Sequence, residues 1–172
     1  MSTVLEVRNL QVSYYTESSR ARALAGVDLR LEAGQKLGLV GESGSGKSTM
    51  ALAMMRMIKP PGRIEAGNVI VDGTDLTQLS DDAMLKARLS KIAYIPQGAM
   101  NSLNPVMRVR DQMGVALRDY GIELTQNELE ERITALLARV GLPPQIANMY
   151  PHELSGGIKQ RVVIAIAISL NP

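Results

Sequence analysis

Residues 37–49 read LGLVGESGSGKST, and this stretch decides the class of fold. Residues 37–40 carry no polar side chain, as a short strand buried on both faces reads. Residues 50–58, MALAMMRMI, are rich in helix formers, and KPPG at 59–62 ends them. Between the two, GESGSGKS at 41–48 matches G-x-x-x-x-G-K-[ST] in full. The residue types follow from holding an anion. Backbone N–H groups must converge on phosphate oxygens, and Gly41, Gly44 and Gly46 permit the dihedrals and the close approach. The following helix aims its N-terminus at the same anion. Lys47 brings positive charge to the β- and γ-phosphates, and the Ser48 hydroxyl is offered to Mg²⁺. The plain alternative is a Gly/Ser-rich surface loop. The bare pattern arises in about one random chain in 200 of this length. The strand before it and the helix after it are the context that makes it a nucleoside triphosphate site. Gly41, Ser43, Gly44, Ser45, Gly46, Lys47, Ser48 and Thr49 are the expected binding residues.

Bulk properties narrow the class further. At 172 residues, 45% apolar and 21% charged, the chain is long enough for a domain with a real core. The net charge is +2 with no Lys/Arg block, which argues against a nucleic-acid surface. Cysteine is absent, excluding a disulfide framework and a thiolate metal site. The start, MSTVLEVRNL, lacks the pattern of a signal peptide. The longest apolar run, residues 162–170, is too short to span a bilayer, so a soluble chain is expected, able to sit on a membrane-bound partner. Phe and Trp are absent and Met numbers ten, so Met and Leu are expected to fill the core.

The rest of the chain predicts mixed α/β architecture. VLEVRNLQVSYY and GVDLRLE alternate as half-buried antiparallel strands, with TESSRAR as a polar turn between them. GNVIVDG is a strand closing on an Asp72-Gly73 turn. Ser80 reads as the N-cap of a helix through Ser90. KIAYIPQ at 91–97 reads as another strand. Residues 106 onward turn helical, with a Thr125/Glu128 capping box and Gly141 after the last turn of the second helix. The final helix is expected from near Ser155 to Leu170. The expected division is a nucleotide-binding core with an antiparallel β subdomain at 1–105, a helical subdomain at 106–153, and a second motif with its following helix at 154–172.

LSGGIKQR, residues 154–161, supplies a second motif. Ser155 is a candidate N-cap, and Gly156 and Gly157 leave a helix start bare of side chains, a second place for an anion. An ordinary capped helix is the plain alternative. The full string downstream of the phosphate loop resembles the signature motif of the ATP-binding cassette (ABC) family. That resemblance implies a P-loop NTPase core and a head-to-tail dimer of ATPase subunits. It also implies that Ser155, Gly156, Gly157 and Gln160 face a nucleotide held by the partner. By the same resemblance Tyr14 stacks on adenine, with Tyr15 a weaker candidate, and Gln97 joins Ser48 at Mg²⁺ and meets the attacking water. Lys47 and Gln97 are the expected catalytic residues, and ATP and Mg²⁺ the expected cofactors.

LGLVGESGSGKST, NSLNPV and YPHELSGG look like the ATPase subunits of oligopeptide, dipeptide and nickel importers. That implies permease subunits and, indirectly, a substrate-binding protein as partners, and a peripheral place on the cytoplasmic face of the membrane. His152 belongs to that string, and a helix-entry role is expected for it. Glu42 occupies a variable position of the phosphate loop and is not expected to act as a base. Family members continue with a strand ending in the Asp and Glu that bind Mg²⁺ and activate water. No apolar run leads into Asp-Glu here, so an N-terminal portion of a longer subunit, with an incomplete sheet and poor hydrolysis on its own, is expected. Two other readings stay open: an ABC ATPase outside transport, and a nucleotide-binding module without turnover.

Overall fold

The computed structural model describes residues 2–172. They gather into two compact units, the first ending at Ile92 and the second running Ala93–Pro172. The chain is α/β: an antiparallel sheet with helices in the first unit, helices in the second.

In the first unit, β1 (Thr3–Tyr15), β2 (Arg20–Glu32), β3 (Gly62–Val71) and β4 (Thr74–Asp75) form one sheet in the order β2-β1-β3-β4, each pair antiparallel. The turn before β2 is shorter than TESSRAR suggests, because Arg20, Ala21 and Arg22 already pair with β1. Alternation along β1 changes phase once. Val7, Leu10 and Val12 are all buried, which strict alternation forbids. Asn9, at φ 46, supplies the irregularity, and the register slips on both edges there. Opposite it, a Cβ on Gly67 (φ 99) would stand 2.5 Å from the Asn9 carbonyl oxygen, so only glycine fits. β3 and β4 join through Asp72 and Gly73, both at positive φ, as a two-residue hairpin requires.

The apolar face of the sheet packs with Met50 and Ala53 of α1 (Lys47–Met54), Met84 and Ala87 of α2 (Asp81–Ser90), and Leu76. Ser80 caps α2 by accepting from the Ala83 N–H at 3.2 Å. The opposite face carries a polar network. Glu65 accepts from Ser13 at 2.9 Å, and from Tyr15 and Arg20.

Three expectations need correction. Residues 37–40 form no strand, and Leu37, Leu39 and Val40 are exposed, Val40 at 90%. A strand buried on both faces needs ladder partners and covering elements, and no described strand pairs with this run. Residues 91–97 likewise form no strand; only an isolated bridge joins Ile92 to Arg88. Finally, α1 stops at Met54 rather than at 58. Arg56 turns to φ 48, and the Met57 N–H closes onto the Leu52 carbonyl at 2.8 Å, a Schellman closure built without glycine. Arg56 is held there by the Leu79 carbonyl at 2.6 Å and Asp81 at 3.1 Å.

The second unit contains α3 (Val109–Asp119), α4 (Gln126–Arg139) and α5 (Gly156–Ala167) around Met113, Ile133, Leu136, Leu137, Val162 and Ala165. The Thr125/Glu128 capping box forms in both directions. Gly141, at φ 69, ends α4: Leu142 donates to the Leu137 carbonyl at 2.9 Å and Gly141 to Ala138 at 3.0 Å. The last helix ends at Ala167, three residues before Leu170, where Ile168 leaves helical geometry.

The Glu65 network yields a pH dependence. The Tyr15 hydroxyl first, then Ser13 and Arg20, hold the Glu65 carboxyl below its ordinary value of 4.5, against desolvation. Its contribution is full above that value and is lost as pH falls through the lower folded value. Thermal melts from roughly pH 6 to pH 3 are expected to show destabilisation on the acid side that is smaller in Glu65→Gln.

Candidate functional site

The phosphate loop is built by backbone constraint. Gly44 and Gly46 lie at φ 82 and φ 95, a region costly for other residues. Gly46 has a second reason to lack a side chain: a Cβ there would stand 2.8 Å from the Ala23 carbonyl oxygen of β2. A Cβ at Gly41 would meet the Ser45 hydroxyl at 2.9 Å, so the loop closes on itself. The Lys47 ammonium fills its mouth, donating to the carbonyls of Gly41 (2.8 Å) and Glu42 (2.5 Å) and to the Ser45 hydroxyl (3.1 Å).

Helix α1 begins at the same point. Its first internal bond runs from the Met50 N–H to the Gly46 carbonyl at 2.8 Å, so the N–H groups of Lys47, Ser48 and Thr49 have no partner within the helix. No acidic residue occupies the first turn. Ser43, Ser45 and Ser48 are exposed and Thr49 is half-buried. The ammonium is therefore satisfied by neutral acceptors beside open backbone donors. A phosphate oxygen taking their place would give the ammonium an anionic acceptor, an ion pair where it now has only neutral oxygens.

The two tyrosines of β1 have different surroundings. Tyr15 is exposed, its hydroxyl bound to Glu65 and its ring flanked by Arg20 and Arg63 at 5.9 and 5.6 Å. Tyr14 is half-buried on the apolar face and packs against the core of the first unit.

In the second unit, Gln97 is exposed and precedes Gly98 at φ 78. At the start of α5, Ser155 has N-cap geometry (φ −66, ψ 160), but its hydroxyl accepts no capping bond. Ser155, Gly156, Gly157 and Gln160 are exposed. A Cβ on Gly157 would meet nothing within 4 Å, and neither Gly156 nor Gly157 uses positive φ. Glycine in a helix costs about 1 kcal/mol relative to alanine, and neither positive φ nor a close neighbour explains Gly157. What the two glycines leave is an unobstructed helix N-terminus.

Sequence reasoning missed how this helix is held. Arg132 of α4 donates to the Ser169 carbonyl at 2.9 Å, past the end of α5, and Arg139 to the Asn171 side chain at 2.9 Å. In return Arg161 of α5 donates to the Gly141 carbonyl at 3.4 Å, past the end of α4. Each helix thus supplies cations to the negative end of the other. Arginine in an amphipathic helix reads as a solvated face, so no local signal marked Arg132. His152 stacks on Tyr150 at 5.5 Å, and Glu153 accepts from the Tyr150 N–H at 2.6 Å, forming the turn that leads into buried Leu154.

The chain matches a family model described as ABC transporter over residues 24–172. It is 39% identical over 175 residues to the oligopeptide transport ATP-binding protein OppD of Bacillus subtilis (strain 168), covering 100% of this chain and 49% of that protein. To the dipeptide transport ATP-binding protein DppD of Caldanaerobacter subterraneus subsp. tengcongensis it is 38% identical over 173 residues, covering 100% of this chain and 53% of that one. The chain spans about half the length of these curated relatives. Among solved structures, the dimeric ATP-binding cassette MJ0796, in a post-hydrolysis state bound to ADP and Pi, aligns with a TM-score of 0.84 at 30% identity. That alignment covers 98% of this chain and 70% of the other.

Gly46→Ala sets a Cβ against the Ala23 carbonyl and strains φ at the loop's exit. Titration calorimetry with inorganic tripolyphosphate is expected to show affinity falling by about tenfold or more.

Proposed function

The chain belongs to the ABC transporter family, and on that premise we propose that it carries the nucleotide-binding part of an ATPase subunit energising peptide import through a separate membrane permease. The observation that carries this reading is the Lys47 ammonium, seated in a loop of neutral acceptors at the start of α1. The names of the relatives, oligopeptide and dipeptide transport ATP-binding proteins, support peptides as the cargo. No helix of the described residues is long and apolar enough to cross a membrane, and we propose a peripheral place at the cytoplasmic face, on the permease.

In this reading the loop N–H groups and Lys47 grip the β- and γ-phosphates of ATP. They stabilise the negative charge that develops as water attacks the γ-phosphorus in line and ADP leaves. Tyr14 stacks on the adenine. The donor set of the loop suits Mg²⁺. Among the described residues no three His, Cys, Asp or Glu side chains gather to hold a metal, and Mg²⁺ typically takes few protein ligands beside phosphate oxygens. Ser48 would hold it, and when bound it neutralises charge on the β- and γ-oxygens. The parts assigned to Gln97, Ser155, Gly156, Gly157 and Gln160, and the pairing with a second ATPase subunit, are proposals carried by the sequence resemblance.

Lys47→Ala is expected to weaken ATP·Mg²⁺ binding by about tenfold or more in calorimetry; unchanged affinity would overturn the assignment. The transport role is tested separately. Full-length protein is expected to co-purify with membrane permease subunits, whereas recovery with ribosomes or DNA would sink the importer reading and keep the ATPase one.

A further inference from the structure

We propose that Gly62 is a positioning residue for base recognition: its missing side chain sets the orientation of the Tyr14 ring and thereby the affinity for the adenine ring. The inference rests on the reading above that Tyr14 stacks on the base.

Tyr14 and Gly62 are cross-strand partners between β1 and β3. Gly62 is buried, and a Cβ there would stand 2.7 Å from Tyr14 Cε1, 3.0 Å from Tyr14 Cδ1 and 2.7 Å from Ile58 Cγ2. The φ angle of Gly62 is outside the positive region, so backbone conformation gives no reason for glycine. The reason is space: one edge of the tyrosine ring occupies the volume that any side chain at 62 would fill.

The backbone on both sides is pinned. Gly62 donates its N–H to the Lys59 carbonyl at 2.9 Å, and Tyr15 donates its own to the Pro61 carbonyl at 3.1 Å. A new methyl therefore cannot be relieved by moving the strands apart. The Ile58 side chain can rotate away, but the Tyr14 ring is a rigid plate and has to turn as a whole. Aromatic stacking depends on ring orientation, and base–aromatic stacking is a large part of base affinity. Tyr15 cannot take over, since Glu65, Arg20 and Arg63 engage it on the other face.

The test measures ATP and inorganic tripolyphosphate affinities of the full-length protein by calorimetry, for Gly62→Ala, Gly62→Val, Tyr14→Ala and Gly62→Ala combined with Tyr14→Ala. Gly62→Ala is expected to weaken ATP by about threefold to tenfold and Gly62→Val by more, with tripolyphosphate affinity unchanged. In the Tyr14→Ala background Gly62→Ala adds no further loss. Unchanged ATP affinity in Gly62→Ala overturns the inference. So does an equal loss for ATP and tripolyphosphate, or the same loss with and without Tyr14. If Tyr14→Ala leaves ATP affinity intact, the stacking reading fails and takes this inference with it, while the tripolyphosphate data report on the phosphate loop independently. Should Gly62→Ala fold poorly, adding Ile58→Ala removes the aliphatic clash and leaves only the ring clash, with the same expected outcomes.

Discussion

The backbone of β2 comes so close to the start of α1 that only a hydrogen atom fits on Gly46. This contact fixes where the phosphate loop ends and the helix begins. Moving the helix outward to admit a side chain would carry the N–H groups of Lys47, Ser48 and Thr49 with it. It would also shift the Lys47 ammonium from the loop carbonyls that accept its bonds. The antiparallel sheet therefore helps to hold the loop, although none of its residues belongs to the motif.

The same economy of space recurs at other glycines for different reasons. Gly67 makes room for the Asn9 irregularity of β1, which rephases the strand so that Val7, Leu10 and Val12 reach one core. Gly62 makes room for the Tyr14 ring. A Cβ on Gly157 would meet nothing within 4 Å, so lack of space does not account for that glycine.

In the second unit, helix ends are satisfied by charge as much as by local caps. The Thr125/Glu128 box and the Gly141 closure are local. The exchange of arginines between α4 and α5 is not. It ties the C-terminal end of α5 to the body of α4 while the exposed first turn of α5 makes no capping bond. The arginines thus anchor the helix at its far end, while its first turn is exposed.

By itself the sequence determined what depends on near neighbours in the chain. The phosphate loop, the Asp72-Gly73 hairpin, the Ser80 and Thr125 caps and the Gly141 stop are each set by φ preferences or by a side chain reaching a backbone group three residues away. It also indicated the α/β class and the family. Only the tertiary structure decided matters that depend on distant partners. Residues 37–40 and 91–97 have strand composition, but a ladder needs a neighbouring strand, and none of the described strands takes that place. The stop of α1 at Met54 depends on carbonyls and a carboxylate from residues 76–81 that hold Arg56. The difference between Tyr14 and Tyr15 depends on β3, which sets Gly62 against one ring and Glu65 against the other hydroxyl. Periodicity marks which residues share a face of a strand, but what meets that face comes from chain some fifty residues away.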